Sequence, residues 1–303
     1  MSVIVVTHDL FDECLGRITP TEREIDMARQ HRDTVASRIN LEGVRELINS
    51  GSYIKRTSIR PFTDIDLFVG FDTDVYETEA ARVITRLHYH LGQSFPYSRV
   101  RLQTHSVGVI FADGFRVDVV PGFALKRRPG YYRVRDRDDG RWITTNITLH
   151  KEFFQRRLQR DARYRDMIRL VKYWKDQRRR KFGGFLMELL VAGAFRQGIP
   201  QGRDVALHAF FEWASEGGLR KPIRFDDFQS VSKGSVDPSA PMVVLDPAND
   251  ESNVAQAVTE EALRELLEAA DTARARSGTA LRASSRMEAS RAWRDILPAF
   301  PVP

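Results

Sequence analysis

Cysteine occurs once in this 303-residue chain, at Cys14. An intrachain disulfide and a thiolate metal site are thereby excluded, and a reducing compartment is the natural setting. Long apolar runs are missing too, with no stretch approaching the ~20 residues that span a bilayer. The opening Met1-Ser-Val-Ile-Val-Val-Thr-His-Asp has too few apolar residues before its histidine and acid for a signal-peptide core. The expectation is a cytoplasmic protein with no membrane partner. No internal repeat is visible, and no long block of one charge sign dominates. The net charge of +6 comes from many arginines interspersed with acids, which fits a phosphate-bearing partner, nucleoside polyphosphates as well as nucleic acid. The length allows one large core or two lobes sharing a cleft.

What the chain does contain is a spaced set of acids. Gly51-Ser52 is followed eleven residues later by Thr63-Asp64-Ile65-Asp66, and a third acid lies in Arg116-Val117-Asp118-Val119-Val120. Alternate residues of a strand share a face, so Asp64 and Asp66 project together while Ile65, Leu67 and Val69 face a core. Asp118 sits in a second apolar strand, opposite to Val117 and Val119. Three neighbouring carboxylates repel unless cations neutralise them, and an all-oxygen donor set suits Mg²⁺ or Mn²⁺. Two such ions, about 3.5–4 Å apart, clamp the attacking and leaving oxygens of an in-line phosphoryl displacement. Glycine at 51 lets backbone N–H groups approach a polyphosphate, and Ser52 adds a hydroxyl for a β- or γ-oxygen. Neither Gly-Ser nor Asp-x-Asp is specific alone. Joined to the basic loop Lys55, Arg56, Arg60 and the distal Val-Asp-Val, they read as a two-metal nucleotidyltransferase site.

The residues GSYIKRTSIRPFTDIDLFVGF (51–71) resemble the nucleotidyltransferase signature of the polymerase-β-like superfamily, and within it the bacterial CD-NTases, relatives of oligoadenylate synthetase and cyclic GMP-AMP synthase. RLVKYWKDQ (169–177), FLMELLVAGAF (185–195) and VVLDPANDESNVA (243–255) extend the resemblance over about residues 20–275. It implies an α+β fold: a polymerase-β-like core with a mixed β-sheet, a mostly helical second lobe, and an active site in the cleft between them. It also implies a long spine helix near the N-terminus and a triphosphate-binding role for Lys172, from the Leu-Val-Lys-x-Trp motif. Family members often carry Ser or Gln followed by Tyr at the start of the next helix. This chain has Gly184-Phe185, which removes a side-chain hydrogen bond and leaves backbone N–H groups as the anion donors there.

Thr19-Pro20-Thr21-Glu22 has the form of a capping box opening a helix from Pro20 to about Arg38. Residues 44–49 are open between strand and short helix. Strands are expected over 63–71, 105–111 and 115–120, the last two joined by a tight turn at Asp113-Gly114, and an amphipathic helix over 75–91. The basic, aromatic stretch 126–145 reads as an exposed hairpin or loop, or else as a base-stacking surface. Met167, Leu170, Val171 and Trp174 form a helical stripe facing a core, with Arg169 and Lys172 off it. Apart from the family motif, Lys172 reads as a solvated lysine. Helices are also expected over 184–197, 204–216 and 259–276. The organisation expected is a nucleotidyltransferase core with its spine helix over 1–150, a helical lobe over 151–278, and a partly ordered tail over 279–303. Arg178-Arg179-Arg180-Lys181 reads as a solvated helix end. His8-Asp9, and His88 with His90, are set aside as metal ligands, and Asp246 and Asn253 are read as turn and cap formers.

The leading functional expectation is a second-messenger synthase joining ribonucleoside triphosphates, ATP among them, into a cyclic di- or trinucleotide with release of pyrophosphate, in bacterial anti-phage signalling. Asp64, Asp66 and Asp118 would hold two Mg²⁺ or Mn²⁺ ions, and Gly51, Ser52 and Lys172 the donor nucleotide. An effector protein sensing the product is an expected partner, and a nucleic-acid activator is not required. The alternative keeps the fold and transfers a nucleotide to an RNA or protein acceptor. A catalytically silent scaffold is the third reading, and the presence of all three acids argues against it.

Overall fold

The computed structural model describes residues 7–72, 80–135, 140–177, 182–228, 237 and 239–302. The chain divides into two compact units, Pro20–Glu152 and a second made of Met1–Thr19 with Phe153–Pro303. The N-terminal helix α1 (His8–Ile18) thus groups with the C-terminal part of the chain rather than with residues 20–150. Its buried Leu10, Phe11, Cys14, Leu15 and Ile18 join the helical core, which is the physical reason.

In the unit Pro20–Glu152, helix α2 (Glu22–Arg38) starts two residues later than expected. Thr21 is the N-cap: its hydroxyl accepts from the Glu24 N–H at 3.3 Å, and Glu24 Oε2 accepts from the Thr21 N–H at 2.7 Å. Both Thr19 and Thr21 have a glutamate three residues on. Thr19 is already engaged in closing α1, its N–H donating to Leu15 O, so the second box forms. The open segment is strand β1 (Val44–Ser50), leading into the short helix α3 (Gly51–Lys55). Then follow β2 (Asp64–Phe71), α4 (Ala80–Ser94), β3 (Arg99–Leu102), β4 (Val107–Ile110), β5 (Arg116–Ala124), β6 (Tyr132–Arg135) and β7 (Trp142–Thr145). The first residues of the expected helix 75–91 lie outside the described residues.

The sheet is mixed, ordered β1-β2-β5-β4-β3, with β6 pairing β5 and β7. β2 and β5 run parallel and the other pairs antiparallel. Alternation then sorts the side chains. Ile65, Leu67, Val69 and Phe71 join Val117, Val119, Val107 and Val109 in one core, closed by Ala28 and Val35 of α2 and Val83, Ile84, Leu87 and Leu91 of α4. Asp64, Asp66 and Phe68 take the opposite face. There Phe68 packs edge-on to Tyr132, with ring centroids 5.0 Å apart. The expected turn is present, with Gly114 at φ +87° and the Phe115 N–H donating to Asp113 Oδ1. Of the stretch 126–145, residues 136–139 lie outside the described residues, and the rest supplies the antiparallel strands β6 and β7. Its Tyr132 is buried, and the Trp142 ring lies edge-on to Phe123 at 5.8 Å.

The second unit is helical. After α5 (Ile147–Arg160) come α6 (Arg163–Asp176), α7 (Gly184–Ala194), α8 (Arg203–Ser215), α9 (Glu260–Leu281) and α10 (Arg286–Arg294), with a two-stranded ribbon of β8 (Leu245–Asp246) and β9 (Asn249–Asn253). The stripe Met167, Leu170, Val171, Trp174 is buried, and so is most of α7. Residues 279–303 differ from the partly ordered tail expected. They carry the end of α9 and all of α10, and Trp293 and Phe300 stack edge-on to Phe11 at 5.0 and 4.9 Å. Three large aromatic rings in mutual contact supply the anchors that a Ser-, Arg- and Ala-rich stretch lacks on casual reading. Among the described residues no helix is long and apolar enough to cross a membrane.

Candidate active site

Register places the acids in a row across the strands. On the face opposite the core, Ser50 of β1 pairs with Asp66 of β2, Asp66 with Asp118 of β5, and Asp118 with Gly108 of β4. Asp64 stands one step along the same face, paired with Arg116. Two carboxylates are thus direct neighbours, a third lies alongside, and small residues flank the pair on both sides. All three acids named from the sequence share this face.

The turn into α3 is built around the same carboxylates. Gly51 has φ +70°, a conformation that disfavours any side chain, and a Cβ there would lie 1.7 Å from Asp66 Oδ2. Glycine at 51 therefore answers two demands at once, a left-handed backbone and room for the acid. Ser52 follows on the first turn of the helix, its Oγ 3.0 Å from Ser58 Oγ. Gly51 and Ser52 lie at the edge of the acid row, directly after Ser50.

Like charge and burial act together on these groups. Burial first, then the charges of Asp64 and Asp118, push the Asp66 carboxyl up to about 6. Asp118, only 7% exposed, is also raised, chiefly by burial; Arg116 opposes the shift and Asp64 adds to it. Two cations act on the cluster: Lys55, whose charge lowers the Asp66 carboxyl, and Arg116. The Arg116 guanidinium donates to Asp64 Oδ2 at 3.1 Å, and its Nε lies 3.0 Å from Asp118 Oδ2 without the alignment of a hydrogen bond. With Asp64 and Asp118 turned toward this arginine, no group of three His, Cys, Asp or Glu among the described residues stands in metal-binding geometry. The donor chemistry still fits hard dications: carboxylate oxygens only, gathered on one face of two neighbouring strands. Sequence reasoning had passed over Arg116 as well as Gln103, whose Nε2 donates to Asp118 Oδ1 at 2.8 Å.

Lys172 lies in the helical unit and is not solvated. It is 6% exposed, and its Nζ meets Glu188 Oε1 at 2.5 Å. Glu188 is fully buried in the middle of α7, a helix the sequence presents as almost wholly apolar, and it too went unnoticed. One signal was available: a lone acid in a buried apolar helix must find a cation. Lys172 also lies beside the start of α7, since a Cβ on Gly184 would be 3.5 Å from its Cε. The N-cap of that helix is Gly183, which has no side chain to cap it.

The residues set aside have ordinary structural partners. His88 Nε2 lies 3.4 Å from Val100 O and His90 Nε2 2.6 Å from Arg38 O, while Asp9 is ion-paired with Arg286. Asn253 Oδ1 accepts from the Val244 and Ala255 N–H groups, and Asp246 Oδ1 from the Ala248 N–H, so both build the ribbon turn. The run 178–181 lies outside the described residues.

Residues 5–157 match the family described as the Second Messenger Oligonucleotide or Dinucleotide Synthetase domain. The chain is 30% identical over 239 residues to the cyclic AMP-AMP-AMP synthase of Escherichia coli (strain MS 115-1), covering 75% of this chain and 74% of that protein. It is 26% identical over 279 residues to the CBASS oligonucleotide cyclase CdnC of Escherichia coli (strain KTE188), covering 86% and 87%. The solved structure of E. coli MS115-1 CdnC with ATP shares the fold at a TM-score of 0.85 and 24% identity, over 99% of this chain and all of that one.

Proposed function

Because the chain belongs to the Second Messenger Oligonucleotide or Dinucleotide Synthetase family, the CD-NTase nucleotidyltransferases, we propose that it joins ribonucleoside triphosphates, ATP among them, into a cyclic di- or trinucleotide. The carrying observation is the row Ser50, Asp66, Asp118, Gly108 with Asp64 beside it. It sets three carboxylates on one face of two parallel strands, next to a positive-φ glycine that opens a helix.

In this reading Asp64 and Asp66 would hold two divalent ions, and Asp118 would share in holding one of them. When bound, the ions neutralise the carboxylates and the charge that develops on the phosphoryl oxygens. Asp118 helps take the proton from the acceptor ribose hydroxyl. The Gly51 N–H and Ser52 Oγ hold the donor triphosphate, Ser52 turning its hydroxyl from Ser58. Lys172 keeps the triphosphate-binding role that the family's Leu-Val-Lys-x-Trp motif implies, as a cation of the helical unit beside the start of α7. The hydroxyl attacks the α-phosphorus, the bond to the β-phosphate oxygen breaks, and pyrophosphate leaves. A second round within the linear product closes the ring. The product is read by an effector protein in anti-phage signalling, a reading supported by the CBASS oligonucleotide cyclase relative.

The test is incubation with all four radiolabelled ribonucleoside triphosphates and Mg²⁺ or Mn²⁺, then phosphatase and mass spectrometry. A phosphatase-resistant small product that disappears in Asp64→Asn supports the proposal. A labelled RNA or protein in its place would transfer the same chemistry to a macromolecular acceptor and overturn the cyclic product.

A further inference from the structure

The turn between β3 and β4, Gln103-Thr104-His105-Ser106, has a second use beyond reversing the chain. It is closed by the Gln103 N–H donating to Ser106 O at 2.9 Å. From that anchored backbone the Gln103 side chain reaches back across β4 to the acid row, where Nε2 donates to Asp118 Oδ1 at 2.8 Å. Its other end is held as well, with Ser106 Oγ donating to Oε1 at 2.9 Å. An ionised carboxylate only accepts, so the amide must present its NH₂ to Asp118, which leaves Oε1 to accept from the serine hydroxyl. Gly108 is the residue the amide crosses. A Cβ there would lie 2.6 Å from Gln103 Nε2 and 3.0 Å from Asp118 Oδ1, and the Gly108 backbone has no positive φ that would itself call for glycine.

We propose that Gln103 is a positioning residue that fixes the Asp118 carboxylate for divalent-metal binding, through a gap kept open by Gly108. The inference rests on Asp118 being a metal ligand and extends that reading to the residues that aim it. Gln103 takes Oδ1 and leaves Oδ2 facing the shared space, where Arg116 Nε now lies. A neutral amide suits this task. It orients the oxygen without adding positive charge that would compete with a dication, as a lysine or arginine at the same place would.

The test measures Mn²⁺ binding by electron paramagnetic resonance on the full chain with a non-hydrolysable ATP analogue. Gln103→Met keeps length and shape without the N–H, and Gly108→Ala pushes the amide away while keeping it. Each is expected to weaken Mn²⁺ binding about tenfold, a loss that a change in the metal-free unfolding midpoint does not account for. In turnover, kcat falls while KM for ATP holds. Asp118→Asn is the reference. Native-like Mn²⁺ affinity in both variants, beside a weakened Asp118→Asn, overturns this inference and leaves the site reading standing. Activity lost only in step with a lowered unfolding midpoint, at native Mn²⁺ affinity, assigns Gln103 to the hairpin alone. If Asp118→Asn itself binds Mn²⁺ as tightly as the native chain, the ligand assignment falls and takes this inference with it.

Discussion

On one face of the sheet three carboxylates share two neighbouring strands with one arginine between two of them, whereas in the helical unit the buried Glu188 is ion-paired with the buried Lys172. In both places an acid interrupts an apolar sequence, yet the physical outcomes are opposite. In the sheet cluster burial first, and then neighbouring negative charge, holds the Asp66 and Asp118 carboxyl groups above their usual range. The helical pair is compensated within the chain, and each partner depends on the other. The comparison separates charge that awaits an external cation from charge the fold has already matched.

The sharpest way to break the comparison is to remove half of the matched pair. Lys172→Met leaves the Glu188 carboxylate buried without its ammonium, and a buried pair broken on one side typically costs about 3–5 kcal/mol. Urea unfolding is expected to show that loss. The double variant Lys172→Met/Glu188→Leu recovers most of the stability, since replacing both partners with apolar groups removes the desolvated charge. If Lys172 also serves the triphosphate, nucleotide binding stays weak in the stable double variant. Restored binding there would leave Lys172 a purely structural role.

The sheet cluster predicts the reverse sign. An ordinary aspartyl value is 3.8 and that of Asp66 is about 6, so the folded state holds this proton more tightly than the unfolded one. Its stabilising contribution is complete below about pH 4 and lost as pH rises through 6. Asp66→Asn is therefore expected to stabilise the metal-free protein at pH 7.5, on the order of 2–3 kcal/mol at 1.36 kcal/mol per pH unit. The gain vanishes near pH 4. Thermal unfolding in chelator across that range checks it, and equal midpoints at pH 7.5 would show that the acid row carries no strain. The same variant is expected to make no nucleotide product, which separates stability from function at one residue.

The legibility of the two clusters differed for the same reason. Asp64, Asp66 and Asp118 stand out because period-2 alternation puts each on the face opposite its apolar neighbours, and their convergence then follows from pairing two strands. The mixed α+β sheet was legible in the same way. Glu188 was hidden because a helix buried all round has no polar face to contradict, and its partner Lys172 lies sixteen residues away on another helix. Gln103 gave no signal, since its function depends on the register that sets Gly108 against Asp118. The helical end of the chain was misread from composition: Trp293 and Phe300 are few, but one ring contact apiece with Phe11 fixes the segment. Two overlapping threonine boxes likewise could be ranked only once Thr19 was seen closing α1.

The smallest effect expected comes from Arg116, which belongs to both kinds of charge at once. It pairs with Asp64 across a surface where both side chains are about half exposed, and such pairs contribute roughly 0–1 kcal/mol. Arg116→Gln is thus expected to shift the unfolding midpoint little. Its effect on cations runs the other way, because the guanidinium occupies the attention of two carboxylates that a dication would need. Losing it is expected to tighten Mn²⁺ binding by a few-fold at low salt, and less at 0.5 M salt, where screening shrinks the contribution of an exposed charge. Looser binding in Arg116→Gln would mean instead that the arginine holds Asp64 and Asp118 in the positions from which they bind, so that the cluster is partly matched within the chain after all.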